Sequence, residues 1–118
     1  MTVSASFRDF IIEQMGNFGP VTVRNMFGGA GVYRDGVMFA LLNDEAVYLK
    51  TDAATKPAFE KEDLPPFTYG KDGMKMEISY YRVPERCLDD REEMATWCRN
   101  AYDVALKAAV RKKPKKHP

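Results

Sequence analysis

Arg24 to Lys50 reads RNMFGGAGVYRDGVMFALLNDEAVYLK, three apolar bursts separated by a Gly-Gly-Ala-Gly turn, an Asp-Gly turn and an Asn-Asp-Glu turn. That order describes a meander of antiparallel strands. Asp35-Gly36 lies between Gly-Val-Tyr-Arg and Val-Met-Phe-Ala-Leu-Leu, and Asp-Gly in such a place favours the type I′ turn, whose twist matches a hairpin. Strands are expected at about Val32 to Arg34, Val37 to Leu42 and Ala46 to Lys50, after an extended segment from Val21 to Phe27. The run from Val37 to Leu42 is apolar on both faces, so it belongs mid-sheet, covered by a helix on one side and by a partner on the other.

Helical signals flank this meander. Ser6, with Asp9 three residues later, is expected to cap a helix whose apolar positions Phe7, Phe10, Ile11 and Met15 recur at helical spacing, with Gly16, Gly19 and Pro20 closing it. Asp52 can cap a short helix through Phe59, although Pro57 leaves its start open, and Pro65-Pro66 end it. After a Gly70-Lys71-Asp72-Gly73 turn, Met74, Met76, Ile78 and Tyr80 alternate with Lys75, Glu77, Ser79 and Tyr81, the mark of a half-buried strand with its polar phase outward. Asp90 caps the last helix, in which Met94, Trp97, Cys98, Ala101, Val104, Ala105 and Ala108 form one stripe. Glu92 and Glu93 suit its first turn, and Lys107, Arg111, Lys112 and Lys113 its end, before Pro114 stops it. The expected fold is α+β: a two-layer domain with an antiparallel meander of about five strands, an N-terminal helix, a short middle helix and a long C-terminal helix. Residues 1–110 form the domain and residues 111–118 a basic tail.

The same residues carry a family likeness. Arg24, Met26 to Gly29, Gly31, Tyr33, Asp35-Gly36, Met38 to Ala40 and Tyr48 to Asp52, followed by Pro66-Phe67-Thr68-Tyr69 and Ser79 to Glu85, resemble the N-terminal domain of the TfoX (Sxy) proteins, the competence regulators of bacteria. This resemblance implies a non-enzymatic regulatory module whose partner is a protein of the transcription machinery or a regulator. Two-domain TfoX proteins carry a second, helical domain after this one, and this chain ends in the basic tail instead. The expectation is therefore a stand-alone module of this kind, with transcriptional regulation of competence as the role the resemblance implies and another pathway as the open alternative.

Composition narrows the remaining classes. With 118 residues, 45% hydrophobic, the chain is expected to bury one core. No apolar stretch is long enough for a membrane helix and the N-terminus lacks a leader pattern, so a soluble cytoplasmic protein is expected. Cys87 and Cys98 are expected to be reduced thiols, Cys98 in the core and Cys87 in a loop beside Arg86, where a lowered pKa would be favoured. Of the 18 bases, five lie in the tail, so residues 1–110 hold 13 bases against 17 acids.

Chemistry is sparse. Gly28, Gly29 and Gly31 are expected to supply positive φ at a tight strand connection or bulge; the alternative is an anion or small-molecule site centred on that turn. No strand–glycine–helix arrangement supports a nucleotide loop, since a strand follows. His117 is the single histidine and Cys87 and Cys98 lack zinc-ligand spacing, so neither metal nor cofactor is expected. The acidic pairs Asp44-Glu45, Asp89-Asp90 and Glu92-Glu93 fall at turns and helix starts rather than as a catalytic pair. No catalytic residue is assigned. Tyr81 and Arg82 are the candidate interaction surface, Tyr81 being placed on the outward phase of its strand. Lys107, Arg111, Lys112, Lys113, Lys115 and Lys116 offer weak, nonspecific DNA contact, or simply a solvated end. A homodimer is a further way to cover a bare sheet face or edge.

Overall fold

A computed structural model describes residues 3–26, 29–69 and 76–112. Phe27 and Gly28, the Gly70 to Gly73 turn with Met74 and Lys75, and the tail from Lys113 onward lie outside the described residues. Helix α1 (Ala5–Gln14) precedes strands β1 (Thr22–Met26), β2 (Gly29–Arg34), β3 (Val37–Asn43) and β4 (Ala46–Lys50). Then come α2 (Lys56–Glu60), β5 (Pro66–Tyr69), β6 (Met76–Arg82), a 3-10 turn (Glu85–Leu88) and α3 (Arg91–Lys112). The strands form one antiparallel sheet in the order β1-β2-β3-β4-β6-β5.

The meander forms as its turn chemistry requires. Asp35 and Gly36 take φ of 50° and 79°, both positive as the type I′ hairpin demands, and Asp44 and Glu45 do the same between β3 and β4. Asp90 is the cap of α3: its Oδ1 accepts from the amides of Glu92 and Glu93, each at 3.0 Å. At α1 the cap is Ser4 rather than Ser6, because Ser4 holds the extended conformation just outside the helix and its Oγ accepts from the Phe7 amide at 3.1 Å. The sheet has six strands, one more than the sequence suggested. The addition is β5, hidden behind Pro65-Pro66; proline cannot donate to a ladder, and β5 accordingly lies at the sheet edge.

The core lies between the sheet and α3. Val32, Ala40 and Leu49 are cross-strand partners and all are fully buried. A register shift after Val32 lets Phe39 join them, so that both Phe39 and Ala40 are sealed from solvent. Phe39 meets the rings of Phe18 and Tyr102 at 5.2 and 5.9 Å. Arg34 covers this cluster, its guanidinium 4.7 Å from the Phe18 centroid and its Nη1 donating to the Phe18 carbonyl at 2.7 Å. A second cluster joins α2 to α3, where Phe59 lies 4.9 Å from Trp97 and 5.8 Å from Tyr81. Gln14 is the buried polar link between α1 and the 3-10 turn, its Nε2 donating to the Cys87 carbonyl at 3.0 Å.

Candidate functional site: the open face of the sheet

Strand periodicity divides the sheet into two unlike faces. Register places Gly31 opposite Leu41, Leu41 opposite Tyr48 and Tyr48 opposite Arg82, so these residues share the face turned away from α3. Arg24, Tyr33, Met38, Lys50 and Tyr80 fall on the same face by the same pairing. Among the described residues no helix packs there.

This face holds a cavity of about 440 Å³. Its walls are the side chains of Met26, Met38, Leu41, Phe67, Ile78 and Tyr80, and the β2–β3 pair at Gly29-Ala30 and Leu42-Asn43 completes it. The lining is almost wholly apolar. Burial pushes the Tyr80 phenol up to about 12, with the nearby Tyr33 a smaller contributor.

Three cations lie on the same face, each over an aromatic ring, and of these rings Tyr80 belongs to the cavity lining. The Arg24 guanidinium lies 5.6 Å from the Tyr33 centroid, the Lys50 ammonium 5.1 Å from Tyr80, and the Arg82 guanidinium 6.0 Å from Tyr48. Tyr48 in turn meets the cavity wall at Phe67, with centroids 5.0 Å apart.

The glycines of the quoted motif act through space rather than through positive φ. Gly29 and Gly31 are strand residues, and among the described residues positive-φ glycines occur only at Gly19 and Gly36. A Cβ on Gly29 would stand 2.5 Å from the Leu42 carbonyl oxygen. One on Gly31 would meet the sulfurs of Met26 and Met38 at 3.0 Å each, and Tyr33 at 3.1 Å. Small residues here let β3 approach and let the two thioethers fold over the sheet. Lying between β1 and β3, Gly29 to Gly31 direct successive N–H groups to opposite sides, so they do not converge on an anion. Gly28 lies outside the described residues.

Tyr81 requires a correction. It stands opposite Leu49 on the helix-covered face, is 7% exposed and packs on Phe59. Ser79, two residues earlier on the same phase, is exposed, whereas Tyr81 packs beneath Phe59 of α2. Arg82 keeps its place as an exposed residue, on the open face.

Cys87 is also corrected. It is fully buried, and burial pushes its thiol up to about 12 rather than down. The neighbouring Arg86 guanidinium is engaged instead by Glu62 at 2.8 Å and Glu93 at 2.9 Å. Cys98 is the buried core thiol expected, likewise raised to about 12. Lys107 is exposed on α3, whose backbone continues through Arg111 and Lys112. Lys113, Lys115 and Lys116 lie outside the described residues. No group of His, Cys, Asp or Glu able to hold a metal ion occurs among the described residues. No described helix is long and apolar enough to cross a membrane.

The family model described as the TfoX N-terminal domain matches residues 13–105, a span that includes all six strands and most of α3. Protein Sxy of Escherichia coli (strain K12) is 26% identical over 95 residues, covering 80% of this chain and 46% of Sxy. The chain thus spans about half the length of that curated relative.

Proposed function

The chain belongs to the TfoX N-terminal domain family, and from that premise we propose that it is a non-enzymatic, cytoplasmic regulatory module acting through protein contacts on the open face of its sheet. One observation carries this reading. Arg24, Met26, Gly31, Tyr33, Met38 and Tyr48, all within the segments that carry the family likeness, converge on a sheet face that no described helix covers. Met, Tyr and Arg are residues that anchor interfaces, Met because it repacks and Tyr and Arg because they combine large contact area with polar ends. A concave apolar patch on a face that also carries Arg24 and Arg82 fits such a role better than catalysis, for which the described residues of this face offer no nucleophile–base pair.

The regulatory character follows from the likeness to Sxy, and transcriptional control is the process to test first. Because only about half of Sxy is matched, the pathway is proposed as regulation in bacteria, with competence as one instance. Self-association, including a homodimer, would use the edge strands β1 or β5, since pairing two open faces would set cations against cations. The exposed Lys107 and the bases that follow it supply weak, nonspecific DNA contact in the same scheme.

Leu41→Glu tests the reading by placing a carboxylate in the middle of the face. In cells deleted for this gene, transcript profiles should be restored by the wild-type chain and not by Leu41→Glu present at equal abundance. Full restoration by a folded Leu41→Glu chain refutes the proposal.

A further inference from the structure

We infer that the open face takes an amphipathic helix of a partner protein, with an apolar stripe in its middle and acidic residues at both ends, about 13 positions apart. The inference rests on the reading of this face as a protein-contact surface and names the kind of element that binds there. One row of paired residues crosses the face: Arg24 of β1, Gly31 of β2, Leu41 of β3, Tyr48 of β4 and Arg82 of β6. Neighbouring strands lie about 4.8 Å apart, so the two arginines stand about 19 Å from each other at the level of the backbone. A helix rising about 1.5 Å per residue covers that span in about 13 residues.

The row is apolar in its middle and charged at its ends. Leu41 forms part of the wall of the cavity of about 440 Å³, together with Met26 and Met38. The sulfurs of both methionines would stand 3.0 Å from a Cβ on Gly31, so they lie over the smallest residue of the row, where they can repack around an incoming side chain. Arg24 and Arg82 are exposed and form no ion pair among the described residues. Each guanidinium is drawn over a tyrosine of the same face, Arg24 over Tyr33 and Arg82 over Tyr48. Stacking of this kind keeps the charge at the sheet surface while the N–H edge still faces a carboxylate. Neither the row nor the described lining of the cavity contains an acid that would repel such ends.

Backbone chemistry selects a helix over an extended segment. β2, β3, β4 and β6 each pair with a strand on both sides, so a partner laid on their face finds no open ladder and must arrive with its own backbone groups satisfied. A helix does so, and it turns the two-layer domain into three layers in which the sheet is buried on both faces. An extended segment would add to an edge strand instead. Residues 1–110 hold more acids than bases, yet this row presents only positive charge, which attracts an acidic-ended helix and turns away a basic-ended one.

Three fluorescent peptides of one length, sharing a leucine stripe at helical spacing, test this. The first carries Glu pairs at both ends, about 13 residues apart; the second carries Lys pairs in their place, and the third has all its Glu at one end. Anisotropy with the folded full chain should show the first bound about tenfold more tightly than the second, as two exposed contacts turned from attraction to repulsion would give, and about threefold more tightly than the third. The double substitution Arg24→Glu with Arg82→Glu should invert the order of the first two. Leu41→Glu should lose all three, with circular dichroism reporting that it stays folded; should it unfold, the inverted order still decides. Equal affinity for the first two peptides, a third bound as tightly as the first, an order unchanged by the double substitution, or no binding by the folded wild type would each overturn the inference. So would sedimentation showing a wild-type dimer that Leu41→Glu dissociates, because a second copy would then occupy the face. Any of these results alongside failure of Leu41→Glu in cells removes only the helical partner, whereas full restoration by Leu41→Glu in cells removes the contact reading itself.

Discussion

Gly29→Ala is predicted to destabilise the domain by about 2 kcal/mol, within the usual cost of forcing an extra methyl into a packed position. The added Cβ would stand 2.5 Å from the Leu42 carbonyl oxygen and 3.2 Å from the Asn43 Nδ2. Ordinary contacts begin about 1 Å farther out than the first of these. The Leu42 oxygen belongs to backbone fixed on both sides, since Leu42 pairs with Ala30 in β2 and Val47 in β4, so relief requires moving a central strand. With an unfolding entropy of about 0.25 kcal/mol/K for a chain of this length, 2 kcal/mol corresponds to about 8 °C in Tm. Two other glycines calibrate the argument. Gly31→Ala meets side-chain ends at 3.0–3.1 Å, which can swing aside, and should cost less than about 1 kcal/mol. At Gly36 a Cβ meets nothing within 4 Å but φ is +79°, so alanine there should cost about 1 kcal/mol in backbone strain alone. Urea unfolding followed by the fluorescence of Trp97, which is half-buried against Phe59, measures all three. If Gly29→Ala falls within about 0.5 kcal/mol of wild type, or Gly31→Ala is the most damaging of the three, the close-approach account of this motif is wrong.

Further predictions concern the core, the cap, the thiols and the tail. Phe39→Ala removes the ring that joins Phe18 to Tyr102 and should cost about 3–5 kcal/mol in urea unfolding; a loss below about 1 kcal/mol would contradict its central place. Asp90→Ala should cost about 1 kcal/mol by deleting the cap of α3, and an unchanged midpoint would show that cap to be dispensable. Burial raises Cys87, Cys98 and Tyr80 to about 12 each, so the unfolded chain releases those protons first. Stability from this source is complete below the ordinary thiol value of 9.0 and is lost as pH rises from there toward 12; a urea midpoint that rises over this window would refute the burial argument. Anisotropy of duplex DNA with the full chain, and with one ending at Val110, should show binding confined to the full chain with a log-log salt slope no steeper than about −4.5, as five phosphate contacts would give. Undiminished binding by the shorter chain would remove the tail from the account.

Much of the architecture was legible because local chemistry and long-range packing agree in the meander and in α3. Asp35-Gly36 specified a turn with positive φ at both residues, and the stripe from Met94 to Ala105 specified one buried helix face. Failures occurred where a local signal had two structural meanings. Pro65-Pro66 read as the end of a helix, yet proline is also tolerated on an edge strand, and β5 begins at Pro66. Tyr81 alternates with Tyr80, and no property of that dipeptide says which tyrosine faces the helices; pairing with Leu49 decides it. Cys87 looked exposed beside Arg86, but the 3-10 turn carries the arginine outward to Glu62 and Glu93 while the thiol turns inward. The open face was the least legible feature. Met26, Met38 with Leu41, and Ile78 with Tyr80 come from three separate strands, and only the strand order β1-β2-β3-β4-β6-β5 brings them around one cavity.

The most direct test of the open face as the working surface is photocrosslinking in living cells, with benzoylphenylalanine placed at Leu41 in one strain and at the exposed α3 residue Arg99 in another. Position 41 should yield a discrete protein adduct, identifiable by mass spectrometry and lost when Met38→Glu is added, while position 99 should not. Absence of an adduct at position 41, or the same adducts from both positions, would contradict the assignment of this face.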